Sequence, residues 1–321
     1  MQQLRANGKK NQFTMFEKGD KYIAEVIRPL LPNSRQSTFL SSGNDLRLEL
    51  FAPEIFNGSS FDYPFEKDLE LIHFTTISNL FNILRTKALW MKDLNSLNDK
   101  SEFIFANSYL DDKKSERLKS RILSLSLCEF SEQTLTNKFM WHNYADNDRG
   151  ICIRIKLHKK RGIPPFFYLG KINYINENFP IKELIELKQR HYQFEMKNKF
   201  TISNLNEILF SVSAMFKKEC YHNEREIRLM RYILDSGEPH KGDTKCPVEY
   251  LYDASKKKYT YFMELPINNP NENFIAPHIS IEEIIIGSNI DNLEFYYLRN
   301  LIYEKYSTHF NGCKPINIYK M

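Results

Sequence analysis

Three short segments of this chain hold side chains that can do chemistry on a charged, sugar-bearing substrate. His73-Phe74-Thr75-Thr76 sets an imidazole and two hydroxyls at the end of an apolar run. Trp141-His142-Asn143-Tyr144 sets two large aromatics three residues apart. Glu224-Arg225-Glu226-Ile227-Arg228 interleaves two carboxylates with guanidinium groups. Each segment also has a plain structural reading: a hydrogen-bonded core histidine, core packing with a wet hydroxyl, and a salt-bridged strand edge.

The chemistry follows from the residue types. A helix that begins directly after Thr76 turns its first N–H groups toward the same small volume as His73 and the threonine hydroxyls. That arrangement suits phosphates and ribose hydroxyls. On a strand, Glu224, Glu226 and Arg228 project to one face. The arginine then holds one acid ionised, while the like charge raises the pKa of the other.

The elements that must position these groups are legible from periodicity. Ile77, Leu80, Phe81, Leu84 and Ala88 fall at helical spacing, so a helix follows Thr76. Leu123, Leu125 and Leu127 alternate with Ser124, Ser126 and Cys128, a half-buried strand. Ile151, Ile153, Ile155 and Leu157 predict another strand, and residues 137–146 a short helix between the two. A charged helix is expected over 181–198. An apolar helical stripe follows in Leu205, Ile208, Leu209, Val212, Met215 and Phe216. Glu226 to Ile233 reads as a strand, as do 259–265 and 282–287. Asp291 with Glu294 caps a last helix that turns Phe295, Leu298 and Ile302 inward. Asp99 with Glu102 marks a further helix start, and 236–247 an exposed loop. Helices and strands interleave without a βαβ rhythm, which makes the class α+β.

Composition bounds the function. The 321 residues suit one large domain or two modest ones, and 42% hydrophobic content supplies a core. The net charge of +5 is mildly basic and permits contact with a nucleic acid. Five cysteines, with no Cys-x-x-Cys pair, argue against a disulfide framework or zinc knuckle and for a reducing cytoplasm. No apolar run approaches the ~20 residues of a membrane span, and the N-terminus lacks an apolar signal core. The expectation is a cytoplasmic protein with no membrane contact. Phosphate-binding glycine loops, His-Glu-x-x-His and Gly-x-Ser-x-Gly are all absent from the sequence.

The run from Ile72 to Leu84 resembles the opening motif of ADP-ribosyltransferases, and closely the start of the DNA-targeting toxins of DarT type. A longer pattern resembles an uncharacterised bacterial domain-of-unknown-function family. Its motifs correspond here to His73-Phe74-Thr75, Leu97-Asn98-Asp99 with Glu102, Trp141 with Tyr144-Ala145 before Gly150, Glu224 with Glu226 and Arg228, and Glu283 to Gly287. Phe74 stands where tyrosine is commoner. The resemblance covers about 70–305. It implies an ADP-ribosyltransferase-like core of two packed, mostly antiparallel sheets with flanking helices.

The same resemblance implies NAD as substrate, with no metal, and a His73, Tyr144, Glu226 triad. His73 would bond a ribose hydroxyl of NAD, Tyr144 would stack on nicotinamide, and Glu226 would bond the nicotinamide ribose and stabilise the cationic sugar. Glu224 would orient or deprotonate the acceptor. Thr75 and Asn79 would contact phosphate or adenosine near the helix start. Two positions stay open: Trp141 competes with Tyr144 as the stacking ring, and Glu224 competes with Glu226 as the essential acid. The implied role is a toxin or phage-defence effector that modifies RNA or single-stranded DNA and is restrained by an antitoxin. The alternatives are a protein acceptor, a non-catalytic nucleotide- or nucleic-acid-binding module, and a metal-dependent nuclease. Residues 1–66 form an N-terminal extension or small subdomain in this reading, and 67–321 the catalytic domain.

Overall fold

The computed structural model describes residues 17–34, 36–42, 45–50, 56–96, 119–159, 167–176, 180–199, 201–202, 205–232, 248–253, 258–268, 276–310 and 316–321. The chain divides into two compact units. One draws on 1–63, 99–119 and 168–219, the other on 64–98, 120–167 and 220–321.

The second unit carries all the candidate site residues. Its strands are β1 (Leu69–Thr75), β2 (Ala88–Asp93), β3 (Ile122–Glu129), β4 (Ile151–Leu157), β5 (Glu226–Tyr232), β6 (Val248–Asp253), β7 (Lys258–Pro266), β8 (Ile279–Ile286) and β9 (Asn317–Lys320). Its helices are α1 (Ile77–Thr86), α2 (Glu132–Leu135), α3 (Lys138–Tyr144) and α4 (Asn292–His309). The strands join in the order β6-β7-β2-β3-β1-β4-β8-β9, and β5 also pairs with β3. The pairings are antiparallel except β8 with β9.

Burial explains the order. In β4, Ile151, Cys152, Ile153 and Ile155 are each 0% exposed, so this strand is covered on both faces. Each such isoleucine contributes about 1.5–3 kcal/mol of transfer free energy. Helix α1 starts where Thr76 Oγ1 accepts the Asn79 N–H at 3.2 Å, and it buries Leu80, Ile83 and Leu84. It ends at Lys87, which takes the left-handed conformation (φ 56°), and β2 follows at once. Helix α4 starts where Asp291 Oδ1 accepts the Glu294 N–H at 2.8 Å, and it packs beside α1.

Strand β3 is the hub. One edge pairs with β5 along its whole length, from Glu226 opposite Cys128 to Tyr232 opposite Ile122. β1 and β2 share the remaining pairings. β1 takes only Leu71 opposite Glu129 and Ile72 opposite Cys128, and β2 takes only Lys92 opposite Ser124 and Asp93 opposite Leu123. The sheet therefore forks, and Ser126 lies between the two short pairings.

The other unit is smaller. Strands Gln36–Ser42 and Asp45–Leu50 form a hairpin, to which Thr201–Ile202 adds in parallel. Helix Lys182–Asn198 buries Leu184, Leu187, His191 and Phe194. Tyr22 Oη and His191 Nδ1 share a 3.0 Å hydrogen bond in that core.

The α+β class and most of the expected elements are present. Boundaries move: β8 begins at Ile279 rather than 282, α3 ends at Tyr144, and helix Leu205–Ser213 ends before Phe216, which opens a strand, Phe216–Lys218, in parallel with Asn173–Ile175. The Ala214 and Met215 N–H groups bond the Phe210 and Val212 carbonyls and close the helix there. The expected helix at Asp99 and Glu102 and the loop 236–247 lie outside the described residues. Among the described residues no helix is long and apolar enough to cross a membrane.

Candidate functional site

The aromatic segment sits where polar side chains define two helix starts. Ser131 Oγ accepts the Thr134 N–H at 3.1 Å and begins α2. Asn137 Oδ1 accepts the Phe139 N–H at 3.0 Å and begins α3. Asn137 also donates from Nδ2 to the Asn223 carbonyl at 2.8 Å, which ties α3 to the turn ahead of β5.

Helix α3 separates the two aromatics. Trp141 is 2% exposed, meets Phe74 edge-on at 5.3 Å, and donates its indole N–H to the Leu135 carbonyl. It belongs to an apolar cluster with Ile72, Phe74, Cys128, Met140 and Cys152. Tyr144 is half-buried, and its hydroxyl donates to Glu224 Oε1. Of the two candidate stacking rings, Trp141 is thus engaged on its edge and its N–H by the core, while Tyr144 touches a candidate acid.

Glu224 does not lie on the strand, which corrects the expectation that Glu224, Glu226 and Arg228 alternate along one face. A 3-10 turn covers Glu219–Glu224, and β5 starts at Glu226. Arg225 between them is left-handed (φ 46°), a conformation that costs a non-glycine residue about 1–2 kcal/mol. That residue redirects the chain, so Glu224 meets Tyr144 instead of extending the strand. Both acids are 3% exposed. Glu226 and Arg228 do share a face, and Arg228 Nε donates to Glu226 Oε1 at 2.8 Å with the arginine 0% exposed. A buried pair of this kind offsets a large desolvation cost with direct attraction, and removing one partner typically costs ~3–5 kcal/mol.

His73 occupies the fork. β1 leaves β3 after Ile72, and His73, the next residue, donates from Nδ1 to the Ser126 carbonyl at 3.2 Å. Burial is the main cause holding its pKa below the ordinary histidine value; the Ser126 bond opposes this, and the Lys92 charge adds to it. The ring is therefore neutral near pH 7 with its proton on Nδ1, and Nε2 carries an acceptor lone pair.

The structure draws the candidates around one stretch of β3. Cys128 pairs with Ile72 of β1 and with Glu226 of β5, and Ser126 pairs with Arg228 and accepts from His73. Paired residues share a face, so Ile72, Cys128 and Glu226 lie on one side and His73 points to the other. The described bonds join His73 to Ser126, Tyr144 to Glu224 and Glu226 to Arg228. Thr75 is buried at the end of β1, and Asn79 is exposed in the first turn of α1, where its backbone N–H already serves the Thr76 cap.

Two features escape the sequence motifs. The first is a polar cleft of about 450 Å³, with Gln133, Thr134, Thr136 and Asn137 from the α2–α3 segment and His222, Asn223 and Arg225 from the turn before β5. Only the two capping residues, Ser131 and Asn137, hint at it in the sequence. The second is the turn from α3 to β4, where Asp146, Asn147 and Asp148 are all left-handed (φ 48°, 55° and 66°). Asn and Asp tolerate that conformation better than other side-chain-bearing residues. The turn is held by Asn289, whose N–H donates to the Asp148 carbonyl at 3.0 Å and whose Nδ2 donates to the Asn147 carbonyl at 2.9 Å. Among the described residues no group of three or more His, Cys, Asp or Glu side chains is arranged to hold a metal ion.

Residues 140–229 match a family described as "Protein of unknown function (DUF2971)". The matched stretch runs from α3 to β5 and so includes Tyr144, Glu224, Glu226 and Arg228. No curated protein and no solved structure matches the chain.

Proposed function

We propose that the chain is an NAD-dependent ADP-ribosyltransferase that modifies a nucleic acid, acting as a toxin or defence effector under the control of an antitoxin. The observation that carries the reading is the Tyr144 hydroxyl on Glu224, just ahead of the buried Glu226–Arg228 pair at the start of β5. The aromatic is thereby joined to an acid 80 positions away in the chain.

In this mechanism the bond between nicotinamide and C1′ of its ribose breaks, and its electron pair leaves with nicotinamide. The sugar becomes cationic. Glu226, held by Arg228, supplies negative charge beside it. Tyr144 stacks on nicotinamide, and His73, on the other face, takes a hydrogen bond at Nε2 from a ribose hydroxyl of the part of NAD that crosses the edge of β3. The acceptor nucleophile bonds C1′, and its proton passes to Glu224, which the Tyr144 hydroxyl holds in place. Thr75, at the end of β1, and Asn79, in the first turn of α1, would contact phosphate or adenosine.

The test is incubation with NAD labelled in its adenylate half and separate RNA, DNA and protein pools. Label on RNA or single-stranded DNA, lost in Glu226→Gln, is the expected result. Label on protein alone would overturn the acceptor. No label in any pool and no free nicotinamide would overturn the activity.

A further inference from the structure

One side chain fixes both elements that bring Tyr144 to Glu224. Asn137 Oδ1 accepts the Phe139 N–H at 3.0 Å at the start of α3, and its Nδ2 donates to the Asn223 carbonyl at 2.8 Å. The two contacts agree on the orientation of the amide, since only its oxygen can accept and only its nitrogen can donate. The main chain of Asn137 is held as well: its carbonyl accepts from Met140 at 3.0 Å and from Trp141 at 3.2 Å. Tyr144 lies seven residues on, at the other end of α3. Seven residues are close to two helical turns, so Asn137 and Tyr144 stand on one face about 10 Å apart. Helical side chains lean toward the N-terminus, which carries the Tyr144 hydroxyl back along that face. Their partners, Asn223 and Glu224, are consecutive. Helix and turn are thus bonded twice, by Asn137 on Asn223 and by Tyr144 on Glu224.

The turn needs such a tie. It is a 3-10 segment, a form whose hydrogen bonds are poorly aligned, and the Arg225 N–H closes it on the His222 carbonyl at a long 3.3 Å. The next residue is the left-handed Arg225, a conformation that disfavours a side chain with a Cβ. Released from α3, the chain around Glu224 gains by relaxing. Capping alone does not explain the residue at 137. Thr76, Ser131 and Asp291 cap α1, α2 and α4 through an oxygen, and serine or aspartate caps about as well as asparagine. What asparagine adds is an amide donor, and here that donor is spent on Asn223.

We infer that Asn137 is a positioning residue: its amide holds the Glu219–Glu224 turn against α3 so that Glu224 meets the Tyr144 hydroxyl. Its part in transfer rests on the proposed function, in which Glu224 takes the acceptor's proton, but the placement itself needs no NAD and is tested without it. The experiment is a double-mutant cycle read by urea unfolding of the full chain. Asn137→Ser keeps a capping oxygen and loses the reach to Asn223, and it should lower the urea midpoint by about 0.2–0.5 M. In that background Tyr144→Phe should lower the midpoint by less than about half of what it does in wild type, because the contact it removes is already lost. Trp141→Phe is the control: its indole is on the same helix but bonds Leu135, so its effect should be the same in both backgrounds.

An undiminished effect of Tyr144→Phe overturns the inference. So does a matching fall in the effect of Trp141→Phe, which would mean that α3 as a whole has loosened. If Asn137→Ser does not fold, Asn137→Asp carries the same cycle, since a carboxylate caps the helix but cannot donate to Asn223. The second readout is transfer of label from NAD to RNA. Asn137→Ser should lower kcat by at least about tenfold and leave KM for NAD within about twofold, the split expected when a reacting group is misplaced and binding is not. An unchanged kcat in an active enzyme removes Asn137 from the reaction. No nicotinamide release by wild type would sink the transferase reading alone, and an additive cycle would sink this inference alone.

Discussion

Replacing Gly150 with alanine should destabilise the second unit by an amount the geometry allows one to work out. A Cβ built at Gly150 would stand 2.5 Å from the Thr75 carbonyl oxygen and 2.7 Å from both Cα and the carbonyl carbon of Ala145. Ordinary contact begins at 3.4 Å, so the nearest neighbour must retreat by about 0.9 Å. All three atoms are backbone, and no rotamer change can relieve them. The Gly150 N–H also bonds the Ala145 carbonyl at 2.7 Å, and its carbonyl accepts from Gly287 at 3.0 Å, which holds the glycine in place. Overpacking of this kind costs about 1–3 kcal/mol, and unrelieved backbone contacts put this case near 3. For a unit of this size that lowers the unfolding midpoint by about 6–12 °C. Gly58→Ala is the comparison: its nearest neighbour would be 3.8 Å away, so only its left-handed conformation (φ 74°) is penalised, by about 1–2 kcal/mol. Calorimetry or dye-monitored melting reads both. A Gly150→Ala midpoint within about 2 °C of wild type would refute the reasoning, since it would mean that the end of β1 and the end of α3 can separate freely.

Tyr144→Phe removes a hydrogen bond to a carboxylate that is 3% exposed and should cost about 1–2 kcal/mol in urea unfolding, at the low end for a charged acceptor because the ring is half-exposed. A loss no greater than at an exposed surface tyrosine would remove Tyr144 as the group that holds Glu224. His73 and His191 are both held below the ordinary histidine value mainly by burial, so the unfolded chain binds protons first as pH falls through about 6.5. Their contribution to stability is complete above that pH and declines below it, and urea midpoints should be lower at pH 5.5 than at pH 7.5; a rise would contradict the assignment. Cys220 is exposed while Cys128 and Cys152 are buried, and burial raises the Cys152 thiol pKa. Alkylation of the native protein should therefore reach Cys220 before Cys128 and Cys152, which wait for unfolding; early labelling of Cys152 by mass spectrometry would count against the packing of β4.

Much of the scaffold was readable because its signals are local. The alternation of Leu123, Leu125 and Leu127, the isoleucines of β4, and the Thr76 and Asp291 caps each follow from neighbouring side chains. What escaped depends on single backbone angles or distant pairings. No glycine or asparagine announces the left-handed Arg225, yet that residue takes Glu224 off the strand and sets it against Tyr144. Trp141 and Tyr144 look equivalent at a spacing of three. Only the position of Phe74 and Cys128 beneath α3 turns one into core and leaves the other at the acid. The fork at β3 joins segments far apart in sequence, and periodicity carries no information about which strands meet. It is also where the structure makes a demand the motifs did not: His73 and Glu226 reach β3 from different sides, so a ligand that uses both must span the strand's edge.

The central claim is that Glu226 works on NAD. The direct measurement is nicotinamide released from NAD by wild type, Glu226→Gln and Glu224→Gln, with RNA present and the unfolding midpoint of each protein recorded alongside. The account predicts release by wild type, a loss of at least about a hundredfold in folded Glu226→Gln, roughly one oxyanion-type contact's worth of rate, and a smaller loss in Glu224→Gln. No release by wild type, or equal release by folded Glu226→Gln, would contradict it.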